Sequence, residues 1–294
     1  MDRKSLILLG VLALLATLLS FWVQKSGVGQ ASFSGGSRLA SLAPCITSSL
    51  IALGGEDRLA LISDYCPQVA DLPRGGTALS PDLERVKRSG ATVVLARAAG
   101  GVPVDSIGRV GQPVVLPWSN VDEMCESIQR LGELSGTEMA ARQLVEDLKD
   151  GLKSRESADM PEVLLVIGGP LDRSGGPWVI RSDSLHGQAL KAAGYRNALK
   201  DQRLGAPQLS IEALVEMDPS VIIHLVPAEG DELVDQAVRD SYSGIPGLNA
   251  WKEKRIGAIQ DPAILDEGPG LLTLVEQLRR EIELLTGNKV EASR

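Results

Sequence analysis

Ser119–Arg155, SNVDEMCESIQRLGELSGTEMAARQLVEDLKDGLKSR, is the stretch on which the fold turns. Its apolar side chains return at helical spacing. Met124, Cys125 and Ile128 share one face before Gly136, and Met139, Leu144, Leu148 and Leu152 form a stripe after it. The pattern predicts one helix from a Ser119 cap to about Leu134. A second helix should run from a Thr137 cap to about Arg155, and its ~18 residues would span about 27 Å. The chain on either side of this helical stretch has a different texture, and the two flanks match each other.

Upstream, short apolar runs alternate with helical segments. Arg38–Ala43, Leu59–Ser63, Ala91–Ala96 and Gln112–Leu116 read as strands. Ile46–Leu53 reads as a helix closed by Gly54-Gly55, and Pro81–Ser89 as a helix with Ser80 as its cap. Downstream the alternation restarts. Glu162–Gly168, Ser220–Val226 and Arg255–Ile259 read as strands, and Ser182–Ala193, Ser210–Met217, Asp231–Asp240 and Pro269–Leu285 as helices. Continuous apolar strands between helices indicate parallel sheets covered on both faces. The expected fold is therefore α/β: two Rossmann-like lobes with mainly parallel central sheets, joined by one long helix. The lobes are placed at residues 38–135 and 159–290, with the connecting helix within 136–158.

The start of the chain differs from both. Leu6–Val23 is an uncharged apolar run of 18 residues preceded by Arg3 and Lys4. It reads as a transmembrane signal anchor or a signal peptide over residues 1–25. The basic flank puts the N-terminus on the cytoplasmic side, so the body is exported to the periplasmic side of the cytoplasmic membrane. Residues 26–37, rich in Gly and Ser, read as a flexible linker. Cys45 lies too far past the apolar run for lipid attachment. Three cysteines make no disulfide framework, although Cys45 and Cys66 each follow a strand and a bridge between them is open. Cys125 is expected in the core.

Composition narrows the function. The 294 residues carry 30 basic and 38 acidic side chains, a net charge of −8 that argues against a nucleic-acid partner. Hydrophobic residues make up 44%, enough for a packed core. There are no Walker, nucleophile-elbow, dinucleotide-binding or zinc-protease signatures. Only His186 and His224 are available to a metal; His186 reads as solvated and His224 as a core histidine. No cofactor and no metal site is expected, and the body reads as a monomer.

Aromatic residues are scarce, and the position of each is informative. The chain has four Trp, three Tyr and two Phe, and Phe21, Trp22 and Phe33 lie in the N-terminal segment. Of the rest, Tyr65, Trp118 and Trp178 each follow a strand, and Arg97 ends one. Ligands of parallel sheets sit outside the carboxyl ends of the strands. Cys45, Cys66, Tyr65, Arg97 and Trp118 should thus face one edge of the first lobe, and Trp178 and Arg181 an edge of the second. Aromatic surface with a few polar anchors suits a large, flat, partly apolar ligand. Trp251 and Tyr195 read as structural. Glu84 and Glu212 each lie in the first turn of a short helix. There they either complement the helix dipole or meet basic residues of a partner.

The chain resembles the ABC-transporter solute-binding proteins of the cobalamin and iron-siderophore class. The residues that carry the resemblance are Arg38–Gly54 (RLASLAPCITSSLIALG), Ile62–Cys66 (ISDYC), Leu79–Val86 (LSPDLERV), Leu131–Ala141 (LGELSGTEMAA), Leu209–Leu214 with Asp218-Pro219, and Trp251–Ile256 (WKEKRI). The resemblance implies a corrinoid or ferric siderophore held between the lobes, with Tyr65 lining the pocket. It also implies that Glu84 and Glu212 pair with arginines of a membrane permease served by its ATPase. The family commonly has Glu after the Thr of its first segment, where this chain has Ser48, and an aromatic in the loop here reading Gly76-Thr77-Ala78-Leu79. A less aromatic pocket than in cobalamin binders follows. A membrane-anchored hydrolase using carboxylates such as Asp64, Asp261 and Asp266, or a metal-ion binding protein of similar shape, is the alternative.

Overall fold

Four short apolar strands make the first sheet of the computed structural model, which describes residues 36–98, 101, 103–157, 159–171, 175–200 and 206–287. These strands are β1 (Leu39–Ser41), β2 (Leu59–Ile62), β3 (Val93–Arg97) and β4 (Gln112–Leu116), in the spatial order β2-β1-β3-β4. The second sheet has β5 (Glu162–Ile167), β6 (Arg196–Asn197), β7 (Val221–Val226) and β8 (Ile256–Gln260), in the order β6-β5-β7-β8. Every neighbouring pair in both sheets is parallel. The two orders are the same, so the chain leaves β1 for one side and β3 continues on the other, and β5 and β7 repeat the arrangement. Each sheet therefore has a switch point, between β1 and β3 and between β5 and β7, outside which ligands of such sheets bind.

Helices cover the sheets because parallel strands need crossover connections. They are α1 (Pro44–Ala52), α2 (Leu83–Arg88), α3 (Val104–Ile107), α4 (Val121–Ser135), α5 (Glu138–Gly151), α6 (Leu185–Ala192), α7 (Ile211–Met217), α8 (Glu232–Ser241), α9 (Asn249–Lys252) and α10 (Leu271–Thr286). Both lobes are filled by aliphatic residues. Ala40, Leu61, Val86, Val94 and Ile107 are buried in the first, and Leu164, Leu214, Ile222, Val238 and Leu248 in the second. Cys125 is buried in the core, as its helical face implied.

The helical stretch between the sheets is a hairpin. Gly136, at φ 79°, ends α4 in the left-handed conformation that glycine adopts without strain. The chain then turns into α5, which packs on α4 and also on α10 of the second lobe. The connecting helix is shorter than its apolar stripe suggested. It stops at Gly151, so its 14 residues span about 21 Å. Beyond it the backbone finds partners in the second lobe: Leu152 O accepts from Gln188 Nε2 at 2.9 Å, and Arg155 N donates to Lys191 O at 2.9 Å.

Capping residues correct several sequence-based boundaries. Asp82 caps α2 by accepting from Arg85 N, and Asn120 caps α4 by accepting from Glu123 N. Ser80 and Ser119, one or two residues earlier, do not. Pro81 is no first helical residue, because it bridges Gly76 across a tight loop. Pro44 is one, and it opens α1 instead of merely ending β1. The expected anchor and most of the linker lie outside the described residues. Among the described residues no helix is long and apolar enough to cross a membrane.

Candidate functional site

The carboxyl ends of the two sheets meet at a seam. Arg97 is the last residue of β3, where an apolar strand ends in a charged side chain. Its Nη2 donates to Trp118 O at 2.9 Å, just past β4, and its Nη1 pairs with the Glu267 carboxylate. Glu267 belongs to residues 261–270, the loop that follows β8 in the second lobe. This loop crosses to the first lobe like a strap. Trp118 Nε1 donates to Glu267 O at 2.7 Å, and a Cβ on Gly268 would collide with Ser48 Oγ of α1. His186 of α6 supports the strap from its own lobe, Nε2 donating to Ile264 O at 3.0 Å. Its Nδ1 stands 3.9 Å from Glu267 Oε1.

Burial governs the electrostatics of the seam. It holds His186 below the ordinary imidazole value, against the pull of the Glu267 carboxylate. Burial also raises Asp266, and the Ser48 hydroxyl beside it works the other way. Asp266 Oδ1 is buried without a hydrogen-bond partner. The Cys45 thiol is pushed up to about 12 by burial, so it is neither nucleophile nor ready metal ligand at neutral pH.

The sequence-derived site residues divide into two groups. Cys45, Arg97 and Trp118 come together at the seam. Trp118 is only 1% exposed, and its one donor is spent on the strap, so its indole is part of the lobe contact. Cys66 is buried nearby in the first lobe, where its sulfur lies 3.0 Å from the hydroxyls of Thr47 and Ser63. The three cysteines are free thiols, and the bridge between Cys45 and Cys66 is not made.

Tyr65 and Trp178 form the second group, and both stand out from the surface. Tyr65 is 76% exposed and Trp178 51%. Tyr65 rides on a turn after β2 that Arg74 clamps: Nη1 donates to the carbonyls of Ser63, Asp64 and Cys66 at 3.0, 2.7 and 3.1 Å. Trp178 sits on a segment folded back antiparallel on β5, its carbonyl accepting from Ile167 N at 2.8 Å. Three residues on, Arg181 Nε pairs with Asp183 at 2.9 Å. No described contact joins Tyr65 to Trp178.

Glu267, Asp266, Ser48 and His186 are seam residues that sequence reasoning missed or misplaced. His186 is buried against the strap, not solvated. Its helix is covered on most sides, with Leu185, Gly187, Ala189 and Leu190 also buried. His224 is the satisfied core histidine that its strand implied. Glu84 and Glu212 are exposed near the N-termini of α2 and α7. Glu212 is held below the usual carboxylate range by its own backbone N–H and the Ser210 hydroxyl. Of the carboxylates considered for hydrolysis, Asp261 accepts from Ala263 N in the strap and Asp266 lies at the buried seam.

Known proteins share this architecture. The chain matches the periplasmic binding protein family over residues 39–263. It is 26% identical over 260 residues to an uncharacterized ABC transporter substrate-binding lipoprotein of Bacillus subtilis, covering 83% of this chain and 79% of that protein. It is 24% identical over 197 residues to a vitamin B12-binding protein of Yersinia pestis, covering 63% of this chain and 68% of that one. Among solved structures, a periplasmic heme-binding protein of Vibrio cholerae superposes with a TM-score of 0.70 at 20% identity, over 86% of this chain and all of that one. The periplasmic vitamin B12-binding protein of Vibrio cholerae gives 0.65 at 20% identity, over 86% and 98%. Two parallel sheets of one strand order, joined through a helical hairpin and closed against each other at their carboxyl ends, are thus an architecture with named relatives. By its sequence match, this chain belongs to the periplasmic binding protein family.

Proposed function

We propose that this chain is the substrate-binding component of an ABC importer. It would take a corrinoid, heme or ferric siderophore between its lobes outside the cytoplasm, tethered through its N-terminal segment, and hand it to a membrane permease. The observation that carries the reading is the placement of Tyr65 and Trp178. Each is an exposed aromatic on a carboxyl-end loop of its own parallel sheet, where ligands of such sheets bind. Exposed aromatic rings on a rigid turn offer flat apolar surface at low entropic cost. Nothing specific favours hydrolysis, and among the described residues no cluster of three or more His, Cys, Asp or Glu side chains could hold a metal ion.

Titrating the purified protein with cobalamin, heme and ferric hydroxamates while following Trp fluorescence tests the reading. Saturable quenching by at least one is expected, and Trp178→Phe should remove most of it. No response to any of the three overturns it. Permease docking is tested apart. Glu84→Lys with Glu212→Lys should abolish uptake by cells while ligand affinity stays intact, and undiminished uptake rejects that role.

A further inference from the structure

Every hydrogen bond described for the Arg74 guanidinium goes to a carbonyl oxygen. Arg74 lies in a short ribbon beside β2, where Ile62 N donates to Pro73 O at 3.1 Å and Gly75 N to Ile62 O at 2.9 Å. From there the side chain reaches back to the turn of residues 63–66, which Cys66 N closes by donating to Ser63 O at 3.1 Å. Nη1 has two hydrogens and serves three carbonyls of that turn, those of Ser63, Asp64 and Cys66. Nη2 donates to Gln68 Oε1 at 2.8 Å. Tyr65, inside the turn, points its ring out to solvent. We propose that Arg74 is a positioning residue for ligand binding, which fixes this turn so that the Tyr65 ring is presented to the ligand already ordered. The inference rests on the binding role proposed above and adds a residue that acts on the ligand only through Tyr65.

The clamp is rooted in backbone that has no room to drift. A Cβ on Gly75 would lie 2.6 Å from Leu61 Cδ2, and Gly76, at φ 81°, would place one 2.7 Å from Ser80 O. Arg74 O in turn accepts from Arg85 Nη1 at 3.2 Å. The turn is held from beneath as well, because the buried Cys66 sulfur lies 3.0 Å from the hydroxyls of Thr47 and Ser63. Between this floor and the guanidinium, rotation about its own side-chain bonds is the freedom left to Tyr65.

Satisfying the backbone does not require the clamp. Asp64 is exposed, so water could serve its carbonyl. The Tyr65 ring adds nothing to the core. What the guanidinium contributes is order in the segment that carries the ring. A segment ordered beforehand spares the entropy that association would otherwise cost. Arginine suits the task because one rigid plane reaches the three turn carbonyls and Gln68 together, whereas a lysine ammonium is a point charge on a flexible stem.

A double-mutant cycle tests the role. Affinities for cobalamin, heme and ferrichrome are measured for wild type, Arg74→Met, Arg74→Lys, Tyr65→Ala and the two double variants, with thermal melts as a check on folding. For a probe that binds the wild type, Arg74→Met should weaken binding about tenfold and Arg74→Lys about threefold. In the Tyr65→Ala background neither substitution should change affinity by more than about twofold, because the ring through which Arg74 acts is gone. A merely structural role would give the same loss in both backgrounds. An Arg74→Met protein that binds like wild type, a loss that persists without the ring, or a Tyr65→Ala protein of unchanged affinity overturns the inference while the binding role stands. If Arg74→Met does not fold, Arg74→Lys carries the cycle on the same terms. Failure of all three probes to bind the wild type overturns the binding role and the inference together.

Discussion

His224 shows how a polar residue survives in the middle of an apolar strand. Its Nδ1–H donates to Gly168 O at 2.9 Å, and its Nε2 accepts from Tyr242 Oη at 2.7 Å. The rings meet edge to face at 85° with centroids 5.6 Å apart. The neutral imidazole is fully satisfied, so the site holds one tautomer and resists a second proton. Burial takes its pKa from 6.5 down to about 4. The folded value lies below the unfolded one, so the contribution of His224 to stability is complete above pH 6.5. It is lost as pH falls from about 6.5 towards 4, and the loss approaches about 3 kcal/mol. Tyr242→Phe removes the donor and strands Nε2 in the core. It should cost about 1–3 kcal/mol at pH 7.5. Urea unfolding at pH 7.5, 6 and 5 checks both statements. A Tyr242→Phe protein as stable as wild type would mean that Nε2 has another partner.

At the scale of the element, the α4–α5 hairpin depends on two glycines used in different ways. Gly136 supplies a backbone conformation. Its φ of 79° is strained for any other residue, and Gly136→Ala should cost about 1–2 kcal/mol. Gly132 supplies space. A Cβ there would lie 2.5 Å from Ala141 Cβ, and its carbonyl accepts from both Gly136 N and Thr137 N at 2.8 Å. Gly132→Leu must therefore push α5 off α4, and about 1–3 kcal/mol or more should be lost. Thermal unfolding of the two variants separates the roles, because Gly136→Asn should recover part of the first loss and no polar swap recovers the second. The break in helical spacing is visible in the sequence at Gly136, and so are the strands. Val93–Ala96 and Val163–Ile167 are continuous apolar runs of the kind that parallel sheets require, and Val221–Val226 is one broken by His224 alone. Arg196–Asn197 was not legible as a strand, because a two-residue polar edge has neither periodicity nor apolar character. At the site, Arg97 and Trp118 could be read from strand ends, since chain order fixes which end of a parallel strand carries the loop. Glu267 could not. It lies 170 residues from Arg97 on a loop past an edge strand, and only the docking of one lobe on the other gives it a partner. His186 was misread for a different reason: the strap of its own lobe folds over a helix that is buried on most sides, and nothing in the spacing of that short helix announces the cover.

For the whole molecule, two lobes of a chain move against each other by default unless their interface is extensive. Here they are tied on two sides. On one side the strap is held by Trp118 Nε1 on Glu267 O, by Arg97 on the Glu267 carboxylate and by Gly268 packed on α1. On the other, the chain leaving α5 is bonded to α6 through Leu152 O and Arg155 N. A wide hinge opening would exchange the buried Trp118 bond for bonds to water, at a net cost of about 0.5–1.5 kcal/mol, and would also part the Arg97–Glu267 pair and the packing of Gly268 on α1. The exposed Tyr65 and Trp178 rings can turn about their own side-chain bonds while the Arg74 clamp, the Ile167–Trp178 backbone bond and the strap contacts stay in place. Ligand entry should therefore change the rim and leave the lobes nearly fixed. Distances between spin labels at exposed positions on α2 and α7 should have one narrow distribution that barely shifts when ligand is added. Trp118→Phe keeps the ring in the core and deletes the bond to the strap, so it should broaden that distribution. A broad or bimodal distribution in the wild-type protein would show that the strap does not hold the lobes, and that capture proceeds by closure instead.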